Sequence, residues 1–126
     1  MKRLFCKTKR PSWATSKNRR WKIVDSNYES PIQLFLRSTT SKDRGTILTY
    51  SYNTIVISPN GVNRNPLIEC AAGIHAYTSR QRAITECHTN QHVLIVYAPQ
   101  WWGLRKYYKQ RAAKIFVGNQ IKVEKK

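Results

Sequence analysis

Apolar positions fall in short runs separated by polar, turn-forming stretches. Trp21-Lys22-Ile23-Val24 predicts a first strand, ended by Asp25-Ser26-Asn27. Pro31 through Leu36 is a second apolar run, and residues 45–57 hold a third and a fourth, rich in Thr, Tyr, Val and Ile. Such residues suit a pleated, half-buried surface. Ser58-Pro59-Asn60-Gly61 and Asn63-Arg64-Asn65-Pro66 carry turn chemistry and predict a polar, exposed loop. Ser79 is placed to cap a short helix over 81–87, with Ala83, Ile84 and Cys87 on one face. His92 through Tyr97 is the most apolar run and predicts a buried strand. Beyond it, Tyr107, Tyr108, Arg111 and Ala112 have the spacing of a short helix. Ala113–Val117 and Gln120–Val123 then read as two closing strands joined by a Gly118-Asn119 hairpin turn. Strands, one helix and more strands predict an α+β domain with a mostly antiparallel sheet. The domain is expected over 21–126, preceded by a basic extended arm over 1–20.

The chain has 126 residues, enough for one core. It contains no run of the ~20 apolar residues that a membrane-spanning helix needs. The opening Met1-Lys2-Arg3-Leu4-Phe5-Cys6 has a basic start with no apolar stretch behind it, so a secretory signal is not expected. Three Cys at irregular spacing imply no complete disulfide framework and fit a reducing, intracellular setting.

Charge narrows the partners. Lys and Arg total 23 against six Asp and Glu, a net charge of +17. Residues 1–24 carry nine of these cations and no acid; residues 103–126 carry a net +7; the 78 residues between are close to neutral at +1. A merely soluble surface mixes the signs; segregation at both ends points to an extended polyanion or an acidic protein. In the arm, Lys9, Arg10 and Trp13, then Arg19 and Arg20 beside Trp21, combine phosphate-neutralising cations with rings that stack or anchor. The strongest contact segment is Trp101-Trp102-Gly103-Leu104-Arg105-Lys106-Tyr107-Tyr108-Lys109, followed by Arg111, where rings and cations are crowded together. Such a segment suits base stacking and cation–π contact, and equally a protein interface, whose anchors favour Trp, Tyr and Arg. A third reading has Trp101 and Tyr108 completing the core.

Catalytic and metal chemistry is poorly supplied. Cys70, His75, Cys87, His88 and His92 are of zinc-ligating type, but their spacing lacks a Cys-x2-Cys knuckle, and buried thiols and a packed imidazole account for them. A cysteine nucleophile would need Cys70 or Cys87 beside His75 with Glu69 or Glu86 behind it, and neither Cys has a marked setting. Gly-x-His-x-Tyr-x-Ser before a helix is superficially similar to the core of ADP-ribosyltransferases, with His75, Tyr77 and Glu86 as candidates; a late-strand Glu is missing, Glu124 lying in the basic tail. Five Gly form no phosphate-binding loop. No catalytic residue, cofactor or metal is expected.

Leu67-Ile68-Glu69-Cys70-Ala71-Ala72-Gly73-Ile74-His75-Ala76-Tyr77-Thr78-Ser79, with Ala83 following, resembles an uncharacterised domain family of phages, bacteria and large DNA viruses, sometimes fused to pentapeptide repeats. The matching positions are Cys70, Gly73, Ile74, His75, Ala83, the strand Val93–Val96 and the basic closing region Ala112–Val123. The resemblance implies a short helix between apolar strands and a phage or large-virus source; it carries over no activity. The expectation is a non-enzymatic basic component of a large assembly, such as a minor capsid or virion protein, that docks on neighbouring subunits through its arm and its aromatic-basic segment. The alternative is a sequence-blind nucleic-acid-binding protein, and the third reading is an ADP-ribosyltransferase-like enzyme.

Overall fold

A computed structural model of the chain describes residues 9–31, 47–59, 61–68 and 71–123. Eight strands and one α-helix follow in the order β1 (Arg19–Val24), β2 (Glu29–Pro31), β3 (Ile47–Thr49), β4 (Ile55–Ile57), β5 (Ile74–Tyr77), α1 (Arg80–Glu86), β6 (His92–Tyr97), β7 (Lys109–Ala112) and β8 (Lys114–Ile121). Six of them form one sheet in the order β4-β8-β6-β1-β5-β7, every pairing antiparallel, and β2 and β3 form a separate ribbon. The fold is α+β, a small single domain with one short helix.

Alternation along the strands sorts the core into two faces. On one, Val24, Ile74, Ala76, Leu94, Val96, Ile115 and Val117 pack with Tyr50 and Trp101. On the other, α1 lays Ala83 and Cys87 over Tyr77 and Val93, flanked by Trp21 and Ile23. Further along that second face, Trp13 and Ala14 cover Tyr97 and Phe116. Helix α1 starts where Ser79 places it: the Ser79 hydroxyl accepts from the Arg82 amide at 3.2 Å.

Several expectations need correction. The stretch ending in Arg111 and Ala112 is not a helix. Lys109–Ala112 is the edge strand β7, because pairing with β5 (Tyr77 with Lys109, Ile74 with Ala112) overrides its local helical preference. The two closing strands are one: β8 runs unbroken from Lys114 to Ile121, through Gly118 and Asn119. Gly118 makes no turn. It sits beside an irregularity in the β6–β8 ladder, where a Cβ would come within 3.1 Å of both the Ile95 carbonyl oxygen and the Tyr97 ring. The loop after β4 is not wholly exposed either, since Ser58 is buried with its hydroxyl donating to the Gly61 carbonyl. Packing also begins before Trp21. Arg19 and Arg20 belong to β1, Ala14 is buried, and the Asn18 carbonyl accepts from the Trp101 indole N–H at 2.8 Å. The rest of the second apolar run after Pro31, the first eight residues and Cys70 lie outside the described residues.

Candidate polyanion-binding surface

One exposed ring, Tyr108, and two cations, Arg82 and Lys109, gather at the β5–α1–β7 edge around the buried Tyr77. Antiparallel register sets Lys109 opposite Tyr77, and the Lys109 Nζ lies 5.1 Å from the Tyr77 ring centre and 5.8 Å from that of Tyr108. The two tyrosine rings stand 5.9 Å apart. From α1, the Arg82 guanidinium rests 4.5 Å over the Tyr108 ring. One turn on, Glu86 accepts from Arg82 Nε at 2.6 Å and from the Tyr77 hydroxyl at 3.1 Å. Tyr108, 41% exposed, is thus held between two cations. The hydrogen bond from Arg82, and after it that from Tyr77, keeps the Glu86 carboxyl below its usual range. Burial, and then the bond to Glu86, pushes the Tyr77 phenol up to about 12. Both groups hold their charge states through the physiological range, so the edge is a fixed electrostatic surface.

The other predicted contact residues divide between surface and core. Lys9, Arg105 and Lys106 are exposed. Arg10 is exposed too, though its guanidinium donates to the Ala14 carbonyl and lies 4.7 Å from the Tyr97 ring. Trp13 is half-buried beneath Lys114, and Arg19 lies against Trp21. Arg20 is half-buried: its Nε donates to Gln110 and its guanidinium covers the Trp101 ring. Trp102 is half-buried, its backbone bridged to Arg111 and its ring under Arg64. Tyr107 donates to the Leu67 carbonyl at 3.2 Å. Trp101 is only 8% exposed and completes the core.

Arg111 is the clear correction. It is 1% exposed, and its guanidinium donates to the carbonyls of Asn63, Asn65 and Ile68 at 2.8, 2.6 and 2.6 Å. A rigid fork with five donors suits this task; Arg111 fastens a loop and presents no surface to a partner. Two surface residues, Arg64 and Arg82, were not among the expected contacts, nor was Tyr77, which is buried at 8% exposure and supports the edge from beneath. The i, i+4 spacing of Arg82 and Glu86 was readable. The cross-strand placement of Tyr77 beside Lys109 needed the β5–β7 register.

No family model, curated protein or solved structure matches this chain.

Among the described residues no three His, Cys, Asp or Glu side chains gather as a metal site. Cys87 is buried with its thiol toward the His88 carbonyl, and His92 stacks on Tyr28 at 4.4 Å. His75 Nδ1 lies 3.2 Å from the Gly73 carbonyl oxygen, to which it can only donate, and the buried Nε2 has no hydrogen-bond partner among the described residues. Burial, then the positive charges of Lys22, Lys109 and Arg111, lowers the His75 imidazole to about 4. Of the ADP-ribosyltransferase-like candidates, Tyr77 and Glu86 are bonded to each other and Glu86 also to Arg82.

Proposed function

We propose that this chain is a non-enzymatic, basic accessory protein that fastens onto a nucleic acid through its phosphates, without reading sequence. The observation that supports this most is how the aromatic-basic segment divides. Its strongest apolar anchor, Trp101, is consumed by the core and Trp102 is half-covered, while Arg105, Lys106 and the Arg82–Tyr108–Lys109 edge stay at the surface. An interface built on aromatic anchors needs those rings free. Phosphate neutralisation needs only the cations, which outnumber the acids 23 to six.

A second reading, docking on protein subunits of a virion or other large assembly, is favoured by one feature. The Arg111-clamped loop holds out Leu67 at 72% exposure. A fixed apolar tip of this kind suits a pocket on a neighbouring subunit.

Affinity for duplex DNA across a salt series separates the two. Phosphate binding predicts log affinity falling linearly with log salt, at a slope of about −0.9 per phosphate neutralised. Arg82→Gln and Lys109→Gln each reduce that slope by roughly one contact, and Leu67→Ala leaves it unchanged. Binding insensitive to salt, or retention in a native assembly that depends on Leu67 and not on these cations, would overturn the phosphate reading in favour of the second.

A further inference from the structure

The cations of the β5–α1–β7 edge do not stand alone on their face of the sheet. Alternation along β1 turns Arg19, Trp21 and Ile23 toward the α1 side, and Arg20 and Lys22 toward Trp101 and Tyr50 on the other. Register then sets neighbours across the strands. Lys109 faces Tyr77 and Tyr77 faces Trp21; two residues back along β1, Arg19 faces Tyr97, which faces Phe116 of β8. Beyond Arg82 and Lys109, each further cation of this face rests on a ring. The Arg19 guanidinium lies 6.0 Å from the Trp21 ring centre, and that of Arg10 4.7 Å from Tyr97. Lys114 Nζ lies 5.9 Å from Trp13, the ring that covers Tyr97 and Phe116. From β7 to β8 the row crosses four inter-strand steps, roughly 19 Å at the usual sheet spacing.

These cations are ordered in advance. Arg10 also donates to the Ala14 carbonyl from Nε and Nη2, at 3.2 and 2.9 Å. An arriving phosphate therefore meets groups whose side-chain freedom is already restricted, which lowers the cost of binding. Arg10, Arg82 and Lys114 are exposed, and Arg19 and Lys109 are half-buried. Among the described residues, the carboxylate paired with this row is Glu86, at its Arg82 end. A linear set of five cations with one acid complements a linear polyanion. A flexible single strand can follow such a row from end to end, whereas the phosphates of a duplex wind about its axis and leave the surface after a few contacts. We propose that a single-stranded nucleic acid crosses this face, its phosphates meeting Lys109 and Arg82, then Arg19, Arg10 and Lys114. The span suits about four nucleotides, the short end of single-strand sites. The proposal rests on the phosphate-binding reading and adds to it a path and a preference for single strands.

The test measures binding of the full chain to a fluorescent oligothymidylate, and to a duplex with the same number of phosphates, across a salt series. Five engaged cations give the single strand a slope of about −3.5, at roughly −0.7 per phosphate. Converted to contacts, with about −0.9 per phosphate for duplex, the single strand should show more of them. Lys114 stands four strands from Lys109, yet Lys114→Gln should remove about one contact, as should Arg10→Gln. Lys114→Arg should keep it. Lys114 is exposed, so its variants should retain the fold, which thermal melts verify. Lys122, just past the far end of β8 from Lys114, is the control, and Lys122→Gln should leave the slope unchanged. A slope reduced by Arg82→Gln and Lys109→Gln but not by Lys114→Gln or Arg10→Gln overturns the row and leaves the phosphate reading standing at the edge. An equal loss in Lys122→Gln, or as many contacts on duplex as on single strand, likewise overturns the path alone. Absence of salt-dependent binding to either polymer overturns both.

Discussion

The Lys22 ammonium donates to the His75 carbonyl oxygen at 2.7 Å. Strands β1 and β5 are in ladder register at Trp21 and Tyr77; beyond that pair a side-chain amine, not a backbone amide, meets the β5 carbonyl. Lys22 is 5% exposed, with the Tyr50 ring 5.1 Å away. Burial, reinforced by the charge of Lys109, lowers its amine to about 7.

That amine makes stability depend on pH in the alkaline range. Between about 7 and 10.5 the unfolded chain holds a proton on Lys22 that the folded chain sheds. Stability from this group therefore rises as pH climbs through that window and is lost as pH falls back to about 7. Lys22→Met should flatten the rise and stabilise the protein at neutral pH by roughly 1–4 kcal/mol, as when buried ionic groups give way to apolar ones. Urea unfolding at a series of pH values checks it; a steeper rise in the variant would refute it.

His75 governs the acid side. Its folded value of about 4 lies below the ordinary 6.5, so its contribution is complete above pH 6.5 and is lost as pH falls toward 4. With six acids in the whole chain, carboxylate protonation contributes little to acid unfolding. His75→Asn should hold its melting temperature across this range better than the wild type.

Arg111→Met should cost about 2–4 kcal/mol, since three loop carbonyls lose a charged donor. Arg111→Lys should recover only part, because an ammonium cannot match the fork. Chemical denaturation reads the cost. Limited proteolysis should find new cuts within residues 63–68.

Residues 9–18 should prove part of the domain. A chain beginning at Arg19 loses the Trp13–Ala14 cover and the Asn18 acceptor of Trp101. Relative to a chain beginning at Lys9, it should melt several degrees lower, with Trp101 fluorescence shifted to the red.

Much of the sheet was legible. Trp21–Val24 and His92–Tyr97 read as strands because β-branched and aromatic residues concentrate there, and Ser79 marked the start of α1 by its capping chemistry. The Lys109–Ala112 strand was hidden. Its residues favour a helix in isolation, and only the exposed ladder of β5 recruits them. Gly118 misled for a related reason: Gly-Asn signals a turn locally, yet here the glycine sits in a strand where a Cβ would come within 3.1 Å of the Ile95 carbonyl and the Tyr97 ring, so those neighbours would have to give by a few tenths of an ångström. Within the contact surface, the cations were visible in the composition. Burial of Trp101 was one of three readings of its segment, and that of Arg111 was not visible at all, since it arises from carbonyls 43–48 residues away in the chain.

The strand order has a temporal consequence. β1 lies between β5 and β6, and β4 pairs with β8. During synthesis the first strand therefore emerges with neither neighbour available, and β6 arrives only after residue 97 has left the ribosome. Because distant pairings must bear the loop-closure entropy first, folding should be slower than in a helical bundle of the same size. Throughout that interval the β1 cations Arg19, Arg20 and Lys22 lack the strands that cover them in the folded domain.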